Sequence, residues 1–222
     1  MKVISFSLFG KSPMYWLGLL NNIRLIPHVM PDWTPMVFTE PGHFLTPILN
    51  ELEVTTIPCE NTYGNLFGTT WRLYALGLPD ITHVVCRDAD SVITPKDAWC
   101  VEEWVKSGKT LHRIVDFNSP FPVCTGCFGI KGGLYPDIEK QIHDFIPQYG
   151  SNYHCDEAFL KVTVWKDYQH DCLTHGQGGD PFNPEKQANL VFTGFKIHTA
   201  LKDVFNWREY DPAQVYESVL YE

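Results

Sequence analysis

Residues 84–93, VVCRDADSVI, set two aspartates, Asp88 and Asp90, one residue apart at the end of an apolar run. In a strand, residues two apart share a side, so both carboxylates project together if the strand continues to Asp90. Two carboxylates crowded in a poorly solvated place repel, and one takes up a proton unless a cation lies between them. Oxygen ligands of this kind suit Mg²⁺ or Mn²⁺, which keep coordination positions open for phosphates. A divalent ion held there could bridge to a diphosphate and stabilise it as a leaving group. The competing reading is a solvated loop that happens to carry two aspartates. The apolar strand before the pair and Ser91-Val92-Ile93 after it argue against a surface accident.

The elements that must position this pair are legible in outline. KVISFSLFG reads as a first strand ending at Gly10, and Pro13 to Ile26 carries apolar residues at helical spacing, with Pro27 as its stop. TPMVFTE and VTTIP read as short strands on either side of a helix in FLTPILNELE. TTWRLYALGL reads as helical, with threonines available as its cap. ITHVVCRDAD is the next strand, and PKDAWCVEEWVKSG a helix with Pro95 near its start and Gly108 at its end. TLHRIVD and CFGIKGG follow as strands, and the Gly/Pro-rich THGQGGDPFNP as a loop. Strand–helix alternation of this kind implies an α/β fold with a mostly parallel, doubly wound central sheet flanked by helices. Ligands of such sheets bind beyond the carboxyl ends of the strands.

A chain of 222 residues, 44% hydrophobic and 14% aromatic, can bury one core of ordinary size. Its net charge of −9 argues against non-specific nucleic-acid binding, which needs a basic surface. A polyanionic ligand would need a metal or a few well-placed basic residues. The seven cysteines are scattered and cannot all pair, which fits buried free thiols in a reducing compartment. Cys124 and Cys127 form a lone Cys-x-x-Cys, two of the four ligands a structural zinc takes. The opening MKVISFSLFG is broken by serines and reads as a strand rather than a signal peptide, and MYWLGLLNNIRLI is too short and polar for a membrane span. The expectation is a cytoplasmic protein without a membrane span, in the host cytoplasm if it is viral.

RDADS at the end of a mid-chain strand resembles the Asp-x-Asp motif of GT-A-fold, nucleotide-sugar-dependent glycosyltransferases. SFSLFG resembles that family's first strand and nucleoside-facing loop, TTWRLYAL its helix before the motif strand, CFGIKGG its acceptor-side Gly-rich segment and CDEAFL its late acidic motif. In detail the chain is most similar to the small glycosyltransferase domains of large DNA viruses of algae, which decorate capsid proteins. The match spans about residues 2 to 200 and treats 1–222 as one domain, with a donor-binding half to about 115 and an acceptor-side half after it.

The resemblance implies a transferase moving a hexosyl or deoxyhexosyl group from a UDP-sugar to a glycan or glycoprotein acceptor with Mn²⁺ or Mg²⁺. Asp90 would ligate the metal, Asp88 would support the metal or bond the donor ribose, and His198 would be a third ligand. Ser7, Leu8, Phe9 and Gly10 would contact the nucleoside, Arg72 would reach the nucleotide, and Gly132 and Gly133 would line the acceptor side. Asp156 or Glu157 would face the reacting sugar, with Asp156 favoured and Asp116 and Asp180 next in line. Trp71, Trp99, Trp104 and Trp165 are read as core rather than sugar platforms, and His170 and His175 have no assigned task. Two rivals stand beside this. DADSVI also fits the signature of haloacid-dehalogenase-like phosphohydrolases, although Arg87 stands where that family has an apolar residue. The other rival is a non-catalytic nucleotide- or carbohydrate-binding module.

Overall fold

The computed structural model describes residues 1–115 and 120–176, together with the backbone of Phe195–Lys196. In chain order the elements are β1 (Lys2–Leu8), α1 (Pro13–Val29), β2 (Thr34–Thr39), α2 (Thr46–Glu51) and β3 (Thr55–Pro58). A 3₁₀ segment, Asn65–Gly77, leads to β4 (His83–Arg87), β5 (Ser91–Val92), α3 (Pro95–Ser107), β6 (Leu111–Ile114) and β7 (Cys127–Lys131). Then come α4 (Ile138–Tyr149), α5 (Cys155–Leu160), which runs on through a π-helical turn at Lys161–Trp165, β8 (Cys172–His175) and β9 (Phe195–Lys196).

Seven strands form one sheet in the order β3-β2-β1-β4-β7-β6-β8, and β5 pairs separately with β9. The run from β3 to β4 is parallel, as is β6 with β8. Only β7 opposes its neighbours, β4 and β6. Alternation along β1 feeds two cores. Ile4, Phe6 and Leu8 pack with Trp16, Leu19, Leu49 and Trp104 on the side of α1, α2 and α3. Val3 joins Phe67, Trp71, Ile142 and Phe159 on the side of the 3₁₀ segment, α4 and α5. Trp71 and Trp104 are fully buried, as the sequence suggested.

The serines that interrupt β1 have a structural use. The Ser5 hydroxyl donates to the Arg72 carbonyl at 2.7 Å, and the Ser7 hydroxyl accepts from the Arg72 amide at 2.9 Å. They stitch the 3₁₀ segment to the sheet and so hold Arg72 beside the end of β4. α3 begins and ends as its residues imply: Thr94 caps it by accepting from the Asp97 amide, Pro95 follows, and Gly108 closes it with φ 69°. Two local expectations give way to packing. Pro27 lies inside the last turn of α1, which continues to Val29, because Leu20, Ile23 and Ile26 are buried on the sheet. The stretch after Gly64 winds as a 3₁₀ helix capped by Gly64 rather than by a threonine; Thr69 and Thr70 instead bond back to the carbonyls of Leu66 and Phe67.

Candidate active site

β4 stops at Arg87, so Asp88 and Asp90 leave the strand in a turn closed by the Ser91 amide on the Asp88 carbonyl at 3.1 Å. That turn sits at the carboxyl ends of β1 and β4, on the wall of a cavity of about 600 Å³. Ser7, Phe9, Tyr15, Leu66, Thr69 and Arg72 line it from the first half of the chain. Cys124, Thr125, Gly126, Asn152, Tyr153, His154, Asp156 and Glu157 line it from the second.

A buried asparagine holds the aspartate turn in place. Asn22, fully buried on α1, donates to the carbonyls of Ser91 at 2.8 Å and Ala89 at 3.4 Å and accepts from the Ile93 amide at 3.0 Å. Sequence reasoning missed it, although Asn22 shares the buried face of α1 with Leu19, Ile23 and Ile26. Gly126, just before β7, backs the same turn: a Cβ there would collide with the Asp88 carboxylate. Only glycine leaves that oxygen its place.

Arg72 joins the two acidic motifs. Its Nη1 donates to Asp88 Oδ1 at 2.5 Å and to the Arg87 carbonyl at 3.2 Å, and its Nη2 to Asp156 Oδ2 at 3.1 Å. Burial alone lowers a guanidinium's pKa, but the charges of Asp88 and Asp156 outweigh it and raise this one. Asp156 Oδ1 also accepts from the Glu157 amide at 3.0 Å, so both of its oxygens are engaged. Glu157 differs. Its carboxylate takes hydrogen bonds from the His154 ring and the Cys124 thiol, and its pKa is raised, by burial first and then by the Asp156 charge. Both acidic residues border the cavity and are buried.

The other expected positions divide. Ser7 and Phe9 line the cavity; Leu8 points into the α1-side core, and Gly10 gives its amide to Glu40 and its carbonyl to the His43 ring rather than lining the cavity. Gly132 and Gly133 are not brought to the cavity. Because β7 is antiparallel to β4, Cys127 pairs with Arg87 at the cavity end while Lys131 pairs with His83 at the far end. The glycines there serve the backbone: a Cβ on Gly132 would strike the Ile81 carbonyl, and Gly133 has φ 73°. It is the start of that segment, Cys124–Gly126, that reaches the cavity. Cys124 and Cys127 are free thiols of a turn closed by the Cys127 amide on the Cys124 carbonyl at 3.0 Å, and hydrogen-bond to one another. His198, Asp116 and Asp180 lie outside the described residues.

The donor set fits a hard divalent cation. Four carboxylates line the cavity, and among the described lining residues Arg72 is the one permanent cation. Thr125 adds a buried hydroxyl with no hydrogen-bond partner among the described residues. Two phosphates could enter only with added positive charge. Among the described residues no three His, Cys, Asp or Glu side chains converge as a metal cage, so Asp88 and Asp90 would by themselves leave coordination positions open for phosphate oxygens, as Mg²⁺ and Mn²⁺ require.

The architecture has counterparts among solved structures. The glycosyltransferase GlyE of Streptococcus pneumoniae superposes with a TM-score of 0.53 at 15% identity, over 78% of this chain and 44% of its own. The chain has a GT-A-like glycosyltransferase fold. The same fold is seen in an active-site mutant of LgtC, with a TM-score of 0.50 at 13% identity over 79% of this chain and 72% of that one. A glycosyltransferase involved in the glycosylation of the major capsid of PBCV-1 matches with a TM-score of 0.50 at 13% identity, over 82% of each chain. At these identities the likeness is one of fold, and the chain spans under half the length of GlyE. No protein-family model and no curated protein matches the sequence. Among the described residues no helix is long and apolar enough to cross a membrane.

Proposed function

We propose that this chain is a metal-dependent glycosyltransferase that moves a sugar from a UDP-sugar to a glycan or glycoprotein acceptor. The observation that carries the reading is the cavity's charge: four carboxylates around one guanidinium, at the strand ends where a GT-A-like sheet receives its ligand. Asp88 and Asp90 would hold Mn²⁺ or Mg²⁺, with His198 as a further ligand. The ion would supply the charge that steadies the departing diphosphate.

The chain's own residues do the rest. Ser7 and Phe9 form the nucleoside side. Arg72 keeps Asp88 and Asp156 in register, and acts on the nucleotide through those two carboxylates and the field of its charge. Glu157 is the better candidate to take a proton from an acceptor hydroxyl, since Asp156 is engaged at both oxygens, one of them by Arg72, and burial raises the Glu157 pKa and with it the basicity of its carboxylate. That reverses the preference drawn from the motif. The division into a donor-binding half to about residue 115 and an acceptor-side half beyond it belongs to the same proposal, as do hexosyl or deoxyhexosyl transfer, a viral capsid-type acceptor and a cytoplasmic setting.

The test is metal linkage. UDP should raise the melting temperature with Mn²⁺ or Mg²⁺ present and do so far less in EDTA. Equal stabilisation under both conditions removes the metal role of the two aspartates. Nucleotide sugars titrated with Mn²⁺, read by thermal shift and donor hydrolysis, then identify the donor; release of phosphate from simple aryl phosphates would point to a phosphohydrolase instead.

A further inference from the structure

The part of the cavity wall formed by Asn152, Tyr153 and His154 carries aromatic surface that nothing so far has used. Tyr153 is 76% exposed, the highest value for a large apolar side chain among the described residues, yet it borders the cavity. Its ring contacts His154, with centroids 4.1 Å apart and planes at 62°, and His154 in turn leans on Phe121 at 5.6 Å.

This wall is held rigidly. His154 has φ 67°, a left-handed conformation uncommon outside glycine, and such strain persists only where surrounding contacts enforce it. The enforcing contacts are present. The Ser151 hydroxyl donates to the Tyr63 carbonyl at 2.7 Å, the Cys155 amide to the Asn152 carbonyl at 3.0 Å, the Ala158 amide to the His154 carbonyl at 2.9 Å, and the His154 ring meets Glu157. An exposed tyrosine on a pinned turn loses little entropy on binding a ligand, which is what a preformed platform requires.

We propose that Tyr153, with His154 and Asn152 beside it, is the subsite for the acceptor and that it takes a pyranose ring. This deepens the glycosyltransferase reading and rests on it. A pyranose has one face of C–H groups, which stacks on an aromatic ring, and a rim of hydroxyls, which pair with polar neighbours. Tyr153 supplies the first, and Asn152 and His154 the second. Glu157 stands in the same wall, hydrogen-bonded to His154, so a sugar seated on Tyr153 presents its hydroxyls towards the residue assigned to take the proton. The recognised acceptor is therefore a carbohydrate rather than a bare peptide side chain.

The full chain loaded with UDP and Mn²⁺ is applied to a glycan array, with UDP binding measured by calorimetry as the control. Wild type should bind at least one glycan. Tyr153→Phe should bind the same glycan alike, and Tyr153→Ala about tenfold more weakly or not at all, the scale of one aromatic contact. UDP affinity should stay the same in all three. If wild type binds UDP but no glycan, or if Tyr153→Ala retains full glycan binding, the subsite is overturned. If wild type fails to bind UDP with Mn²⁺ present, the glycosyltransferase reading fails instead, and the subsite with it.

Discussion

Two buried arginines, Arg87 as the last residue of β4 and Arg72 against its carbonyl, have surroundings that separate architecture from chemistry. Arg87 grips Asp97 of α3 through two hydrogen bonds, Nε to Oδ2 at 2.9 Å and Nη2 to Oδ1 at 2.6 Å, and gives Nη1 to the carbonyls of Cys86 and Phe128. One charge meets one charge, both are buried, and the pair ties α3 to the sheet. Arg72 is shared between two carboxylates, and its Nε has no partner among the described residues. Asp88 remains 28% exposed to the cavity. The first arrangement is neutral and closed. The second carries surplus negative charge and opens onto the cavity, which is how a site differs from a tie.

The comparison breaks most visibly at Asp97. Asp97→Ala strands the Arg87 guanidinium in the core and should cost about 3–5 kcal/mol of stability, read by urea unfolding. Asp88→Asn leaves Arg72 its bond to Asp156 and should cost no more than about 1 kcal/mol, while abolishing the metal-linked effect of UDP on melting. Equal destabilisation by the two substitutions would make Arg72–Asp88 a second structural tie.

Turnover gives the next largest contrast. Asp90→Asn keeps the shape of the turn and should lower sugar transfer roughly 10²-fold or more, measured as UDP release at saturating Mn²⁺. Wild-type turnover in that variant would remove Asp90 from the site.

Glu157 and Asp156 sharpen the distinction further. Glu157→Gln should lower transfer by about 10²-fold with UDP affinity within a few-fold, while Asp156→Asn should act less on rate than on the placement of Arg72. Burial, then the Asp156 charge, raises the Glu157 pKa above its ordinary 4.5, so the acid limb of the rate profile should fall at a higher pH than for a free carboxylate. A normal rate in Glu157→Gln with a dead Asp156→Asn would restore the assignment read from the motif.

The smallest expected effect lies away from the cavity. His112 is buried, with Nε2 2.9 Å from His175 Nδ1 and its ring stacked on Trp104. Burial, then the neighbouring His175 and Arg87, hold its pKa well below 6.5. The unfolded chain therefore binds a proton that the folded chain refuses, and stability should decline as pH falls below about 6.5 and be unaffected above it. Melting temperature against pH should show this slope in wild type and a shallower one in His112→Phe. An equal slope in both would assign the acid sensitivity to other groups.

The sequence by itself determined what depends on near neighbours. Strand–helix alternation made the sheet α/β, Pro95 near the start and Gly108 at the stop placed α3, and the apolar run through Val85 and Cys86 delivered Asp88 and Asp90 to a strand end. These signals act over a few residues, where spacing and cap chemistry decide. Tertiary structure decided what depends on distant partners. Arg72 meets Asp156 across 84 residues, and Asn22 meets Ser91 across 69. No local pattern encodes such pairings, because only packing on a common sheet brings them within hydrogen-bond range. The direction of β7 is the clearest case: CFGIKGG reads as a strand either way, but its antiparallel place beside β4 carries Gly126 to Asp88 and sends Gly132 and Gly133 to the far end of the sheet. Which of Asp156 and Glu157 meets the guanidinium was likewise out of reach, since adjacent carboxylates look alike in sequence. It took the guanidinium beside one and the imidazole and thiol beside the other to set them apart.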